Sequence, residues 1–175
     1  MSTTKKQPKP YRILTSPKDD LVLRQKLLPH GPGPSSPEEL AALKAVGERM
    51  LITMYASNGL GLASPQVGLK YRLIVMDLGW KRRNGTICKE PQIWLDPEWQ
   101  LDPEPARNRR IVAEEGCLSE PGIFKPMERE VRIIARGLDL LAGGRMKQVV
   151  MDGLEARCFQ HECDHLDGVL FTDYL

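Results

Sequence analysis

The residues best placed to do chemistry form one short run, Gln160-His161-Glu162-Cys163-Asp164-His165-Leu166. On an α-helix, positions four apart lie on one face, so His161 and His165 can grip a single metal ion. Glu162 then stands beside that ion, where a carboxylate can move protons for a bound water. The chain has only three histidines, and two of them are here. The plainer reading of an isolated H-E-x-x-H is a pair of satisfied core histidines on an amphipathic helix. The surrounding elements must therefore supply the rest of the case.

The flanks predict a helix. Asp152 and Glu155 stand at N-cap and N3 spacing, a capping-box arrangement, and Gly168 fits the far end as a stop. Leu154, Cys158, His161 and His165 follow i, i+4, i+7 and i+11, so the ligand face continues as the core-facing stripe. A catalytic metal needs about three protein ligands and an open fourth position. Candidates for the third are thiolates and carboxylates. Cys163 is turned about 200° away from His161 around the helix. Cys158 would crowd the ion as a third ligand on consecutive turns and reads as a small pocket-wall residue. Cys88 lies in a charged, glycine-containing stretch with nothing to aim it. Cys117 follows the apolar Ile111-Val112-Ala113, and Gly116 lets its backbone approach another element closely.

Three ordered motifs make the chain resemble peptide deformylases, which remove the formyl group from the initiator methionine of new polypeptides. They are Gly59-Leu60-Gly61-Leu62-Ala63-Ser64-Pro65-Gln66, then Glu115-Gly116-Cys117-Leu118-Ser119, then Gln160 through Gly168. The opening Ile13-Leu14-Thr15 and Pro17 and the Arg72–Asp77 run share the resemblance, which spans about residues 11 to 175. The resemblance implies that Cys117, His161 and His165 hold one divalent metal with water in the fourth position, and that Glu162 is the general acid/base. It also implies that Gln66 and the backbone N–H of Leu118 donate to the oxyanion formed on the formyl oxygen. The family natively uses ferrous iron; zinc, nickel or cobalt also suit a Cys-His-His set. The implied substrate is an N-formylmethionyl peptide. Its backbone would pair with Gly61 in strand-like fashion, and its methionine side chain would sit among Leu60, Leu154 and Cys158. A phosphate-binding reading of Gly59-Leu60-Gly61 has little support, because no strand is expected before it.

Two rival functions share parts of this pattern. An H-E-x-x-H metallopeptidase usually draws a third His or Glu from downstream, but only ten residues follow His165. A structural metal module would need a closed shell, and no fourth Cys or His is well placed for one. Three positions depart from the family pattern. Ser64 replaces alanine, Glu120 puts a carboxylate near the expected pocket mouth, and Arg157 stands where many bacterial members are aliphatic. The Arg157 stem could still cover apolar surface. The ribosome is a further partner that the family suggests. The chain's end at Phe171–Leu175, where many members continue into another helix, argues against it.

Composition suits one domain. The length of 175 residues falls within the usual ~100–200 per domain. With 25 basic and 23 acidic residues, the net charge of +2 offers no electrostatic case for nucleic acid or an anionic membrane. No apolar run approaches the ~18 residues of a membrane span. Residues 1–10, rich in Lys, Pro and Thr, are expected to be a disordered tail. They carry neither a secretory h-region nor the arginines of an organellar leader, although an organellar form after processing remains compatible with the sequence. A metal-binding thiol without a paired cysteine framework points to a reducing cytoplasm, and the family resemblance makes a bacterial one the expectation.

Residues 11–175 read as a single catalytic domain of α+β class, with short antiparallel strands around the C-terminal metal-bearing helix. Pro29–Pro37 is expected to be a loop in which His30 is solvated. A helix then starts with Ser36 as N-cap, Pro37 at N1 and Glu39 at N3, carries a core stripe of Leu40, Leu43, Val46, Met50 and Met54, and ends at Asn58-Gly59. Tyr71–Leu78 is predicted as a buried strand, Gln92–Asp96 as a short one, and Val131–Leu138 with Arg145–Met151 as a hairpin through Gly143-Gly144. The Trp80–Arg110 stretch reads as insertions on a solvated surface.

Overall fold

All four residues of the Leu73–Met76 strand are fully buried, because helices cover both faces of the sheet that contains it. The computed structural model describes residues 8–81 and 85–174. In chain order its elements are α1 (Asp20–Leu23), α2 (Pro37–Ala56), β1 (Gly61–Ala63), β2 (Leu73–Met76), β3 (Trp80–Lys81), β4 (Ile87–Cys88), β5 (Gln92–Gln100), β6 (Arg110–Cys117), β7 (Glu120–Glu130), β8 (Arg132–Asp139), β9 (Arg145–Asp152) and α3 (Gly153–Leu166). β1, β2, β5, β8 and β9 form one antiparallel five-stranded sheet in that order, while β6–β7 is a separate two-stranded hairpin. The class is α+β, as expected.

Period-two alternation sorts the sheet's side chains between two cores. Leu62, Leu73, Val75, Ile93 and Leu95 pack with Leu43, Met50, Leu51 and Met54 of α2. Ala63, Ile74, Met76, Trp94 and Ile133 pack with Ala156, Phe159, Cys163 and Leu166 of α3. Trp94 and Phe159 meet edge to face, with ring centroids 5.3 Å apart. Gly47 lets α2 lie close on β5, since a methyl there would collide with Ile93.

Several expectations shift in detail. Ser36 caps α2 by accepting the Glu39 N–H, but the Glu39 carboxylate reaches Ser35 rather than Ser36. Asp152 precedes α3 without capping it. Gly153 takes a φ of 59° there, and the Asp152 carboxylate instead meets Arg132, its partner across the β8–β9 ladder, at 2.8 Å. Glu155 accepts from Gln92 at 2.9 Å, joining α3 to β5. Gly168 does end α3 with φ 75°. The Gln92 strand runs to Gln100 and lies third in the sheet, so the Trp80–Arg110 stretch is not merely inserted surface. The sequence predicts this strand only as far as Asp96, which sits at φ 50° beside a register shift. His30 is not simply solvated: its N–H donates to Asp96 and its ring lies 3.1 Å from Glu39. Cys88 has strand neighbours, in β3–β4. Of the expected tail, residues 1–7 lie outside the described residues, and the Lys9 carbonyl is held by Arg49. No helix of the described residues is long and apolar enough to cross a membrane.

Candidate metal centre and active-site cleft

Two elements distant in sequence bring the candidate ligands together. α3 carries His161 and His165 one turn apart, with their rings 5.0 Å apart and nearly perpendicular. Cys117 ends β6 at a register shift in the β6–β7 ladder, where Gly116 faces Phe124 but Cys117 faces Glu120. Such a bulge re-aims a side chain, and the Cys117 sulfur lies 3.2 Å from His165 Nε2. One ligand atom from each of Cys117, His161 and His165 falls within 4.8 Å of the others. Gly116 permits the hairpin's shape, because a methyl there would come within 2.6 Å of the Phe124 ring.

The electrostatics suit a cation. Burial and the neighbouring His161 push the His165 pKa well below its ordinary value, leaving a neutral imidazole whose lone pair is available. Burial would lower His161 too, but hydrogen bonds to Cys117 and Glu115 outweigh it and raise the pKa to about 10. The cluster therefore draws a positive charge to itself, and its sulfur and nitrogen donors are those a borderline divalent metal takes. His161 Nδ1 lies 3.0 Å from Glu115 Oε2. Burial would raise Glu115, yet bonds from His161 and Arg129 hold it down at about 2.

Glu162 is only 4% exposed, and its Oε2 is buried without a hydrogen-bond partner among the described residues. Burial, only partly offset by His161, pushes it up to about 7, so this carboxyl can both take and give a proton near neutrality. Gly61 makes room for it, since a side chain at that position would overlap Glu162 Oε1. Gln66, 2% exposed, sits in a one-turn 3₁₀ segment. Its Oε1 accepts the Ala63 N–H at 2.8 Å, and its Nε2 points to Cys117 Sγ at 3.5 Å and Ser119 Oγ at 3.2 Å.

A cleft of about 570 Å³ opens onto this group, lined by Leu60, Gly61, Gln66, Cys117, Leu118, Leu154, Cys158, His161 and Glu162. His165 lies behind the lining, fully buried. Leu154 departs from the expected core stripe: it is 56% exposed, at the cleft rim. Cys158 is a buried wall residue, and Cys163 points into the core. Glu120 is not at the mouth but buried, accepting from Thr172 at 2.6 Å. Ile123 and Phe124 of β7 also line the cleft; no strand is expected after Ser119 from the sequence, because Pro121 and Pro126 interrupt the segment. Glu115 also belongs to the site through His161, and its signal in the sequence is an acid two residues before the cysteine.

An α+β domain with a cysteine and two helix-borne histidines at the head of an open cleft is the layout of a metal-site hydrolase. The sequence pattern of the polypeptide deformylase family matches residues 10–175. The chain is 40% identical over 133 residues to the peptide deformylase of Bradyrhizobium diazoefficiens, covering 76% of this chain and 73% of that one. It is 43% identical over 133 residues to that of Alkalilimnicola ehrlichii, covering 76% and 68%. The crystal structure of peptide deformylase from Thermotoga maritima superposes with a TM-score of 0.76 at 39% identity, covering 95% of this chain and 97% of that chain. That of a Synechococcus elongatus peptide deformylase in complex with actinonin gives 0.76 at 34% identity, covering 99% and 83%. The chain belongs to the polypeptide deformylase family and is a hydrolase of this class.

Proposed function

We propose that this enzyme, with residues 11–175 as its catalytic domain, removes the N-terminal formyl group from formyl-methionyl peptides and releases formate. The observation that carries the reading is the convergence of Cys117, His161 and His165 beside the buried Glu162 carboxyl at the head of one cleft. Cys117, His161 and His165 would hold one divalent ion, Fe(II) natively, with Zn, Ni or Co as substitutes for the same donors. When bound, such an ion supplies Lewis acidity, making a water nucleophilic near neutral pH.

The chain's own groups do the rest. Glu162 Oε2 accepts the proton of the attacking water and returns it to the departing amine. Gln66 Nε2 and the Leu118 N–H donate to the oxyanion that develops on the formyl oxygen. Each such donor is worth about 3–4 kcal/mol when preplaced. Gln66 is preplaced because Ala63 grips its other end. β1 is an edge strand of the sheet, so a peptide backbone can add alongside Gly61 as a further strand. Leu60, Leu154 and Cys158 then form apolar wall for the first side chain.

The test is formate release from a formyl-methionyl peptide, measured beside bound-metal content in the wild type and in Cys117→Ala. We expect release by the wild type, and loss of both metal and activity in the variant. Full metal content and activity in Cys117→Ala would refute the ligand assignment. Cleavage of unformylated peptides, with no formate released, would favour a metallopeptidase.

A further inference from the structure

Arg157 stands one helical turn before His161 on α3 and is 8% exposed. Its Nη1 donates to Glu115 Oε1 at 2.6 Å and to the Met127 carbonyl at 3.0 Å, and its Nη2 donates to the Ile111 carbonyl at 2.7 Å. Ile111 belongs to β6 and Met127 to β7. One side chain of α3 therefore bonds both strands of the hairpin that ends in Cys117.

Its carboxylate partner is shared. Glu115 Oε1 also accepts from Arg129 Nε at 3.0 Å, while Oε2 accepts from Arg129 Nη2 at 3.0 Å and faces His161 Nδ1 at 3.0 Å. Two guanidiniums thus set the plane of the carboxylate, and the carboxylate sets the His161 ring. Taking a guanidinium out of water costs several kcal/mol unless each donor finds an acceptor. Here a carboxylate and two strand carbonyls offset that cost.

The three candidate metal ligands are divided between the hairpin and α3, so their separation depends on the bonds that join these two elements. Gln160 contributes some of them, exchanging bonds with Glu130 at 2.9 and 3.1 Å, and Arg129 reaches Asp164 at 2.5 Å. Arg157 combines two actions from within α3: it bonds the backbone of both hairpin strands and, with Arg129, fixes the Glu115 carboxylate that faces His161.

We propose that Arg157 is a positioning residue for the metal centre, setting the hairpin of Cys117 against α3 and fixing the His161 ring through Glu115. The proposal rests on the reading that Cys117, His161 and His165 bind a metal. A merely structural staple would contribute to stability and leave metal affinity alone.

The test compares wild type, Arg157→Met and Arg157→Lys by four measurements. These are zinc affinity from chelator competition, visible absorption of the cobalt(II)-substituted protein, melting temperature of the metal-free protein, and kcat with KM. Loss of a residue that orients metal ligands typically costs about 10–100-fold in affinity or activity. Arg157→Met should lose zinc affinity in that range, shift the cobalt bands, and lower kcat while leaving KM little changed. Arg157→Lys keeps the charge without the planar fork, so it should recover only part of the affinity. Wild-type zinc affinity and cobalt spectra in both folded variants would overturn the proposal, whatever their melting temperatures. Failure of both variants to fold would assign Arg157 to the fold alone and would also overturn it. A wild type that binds neither ion would remove the metal-centre reading and this proposal with it.

Discussion

Glu115 Oε2 lies 3.0 Å from Nδ1 of His161, and the same carboxylate is bound by Arg129 and Arg157. An imidazole whose Nδ1–H donates a hydrogen bond to a fixed carboxylate keeps Nε2 free as a ligand atom and keeps its ring plane constant. Substituting Glu115→Gln removes the charge while nearly preserving the shape. We expect zinc affinity to fall by about 10–100-fold, together with a lower melting temperature because buried Arg157 loses its carboxylate counter-charge and Arg129 keeps only Asp164. Unchanged affinity in a chelator competition would show that the bond does not serve the metal centre.

Glu162 tests the proton-transfer role. Its Oε2 has no partner among the described residues and it is not among the three clustered ligands, so Glu162→Gln should keep fold and bound metal. Turnover should fall by at least ~10²–10⁴-fold, the usual worth of a general acid/base. Near-normal formate release with full metal content would take Glu162 out of the reaction.

Gln66 has both a bracing bond and a catalytic aim. Gln66→Leu strands the buried Ala63 N–H, which costs about 1–3 kcal/mol of stability. It should also lower kcat by roughly 10²–10³-fold with little change in KM, as loss of a transition-state donor does. A lower melting temperature with unchanged kcat would leave Gln66 as a brace only.

Gly61 is a steric test of the same site. A methyl there would overlap Glu162 Oε1 and come within 2.8 Å of Cys158 Sγ. Because both neighbours project from α3, Gly61→Ala should displace the carboxylate while leaving the metal ligands in place. A misplacement of about 1 Å can cost about 10²-fold, and we expect a kcat loss of that order at normal metal content. Wild-type kcat would mean that Glu162 has room to move without consequence.

The sequence by itself determined the local chemistry. His161, Glu162 and His165 had to share a helix turn because helical periodicity puts i and i+4 on one face, and Gly168 had to stop that helix once φ turned positive. The core stripe of α2 and the buried β2 were legible for the same reason: burial on one face or on two imposes a period or abolishes it. What joins distant segments was decided by tertiary structure. Cys117 reaches His165 only because β6 and β7 pair over their whole length and then slip at Gly116, and β7 itself, mostly exposed and interrupted by Pro121 and Pro126, lacked a strand-like pattern. Asp152 and Glu155 had capping spacing, but once the sheet formed the Arg132 guanidinium across the β8–β9 ladder took the Asp152 carboxylate and the Gln92 amide of β5 took that of Glu155. The bonds around Glu115 came from Arg129, Arg157 and His161, residues 14, 42 and 46 positions away. Periodicity constrains neighbours on one element; it carries no information about which buried cation a carboxylate will meet when two elements close on each other.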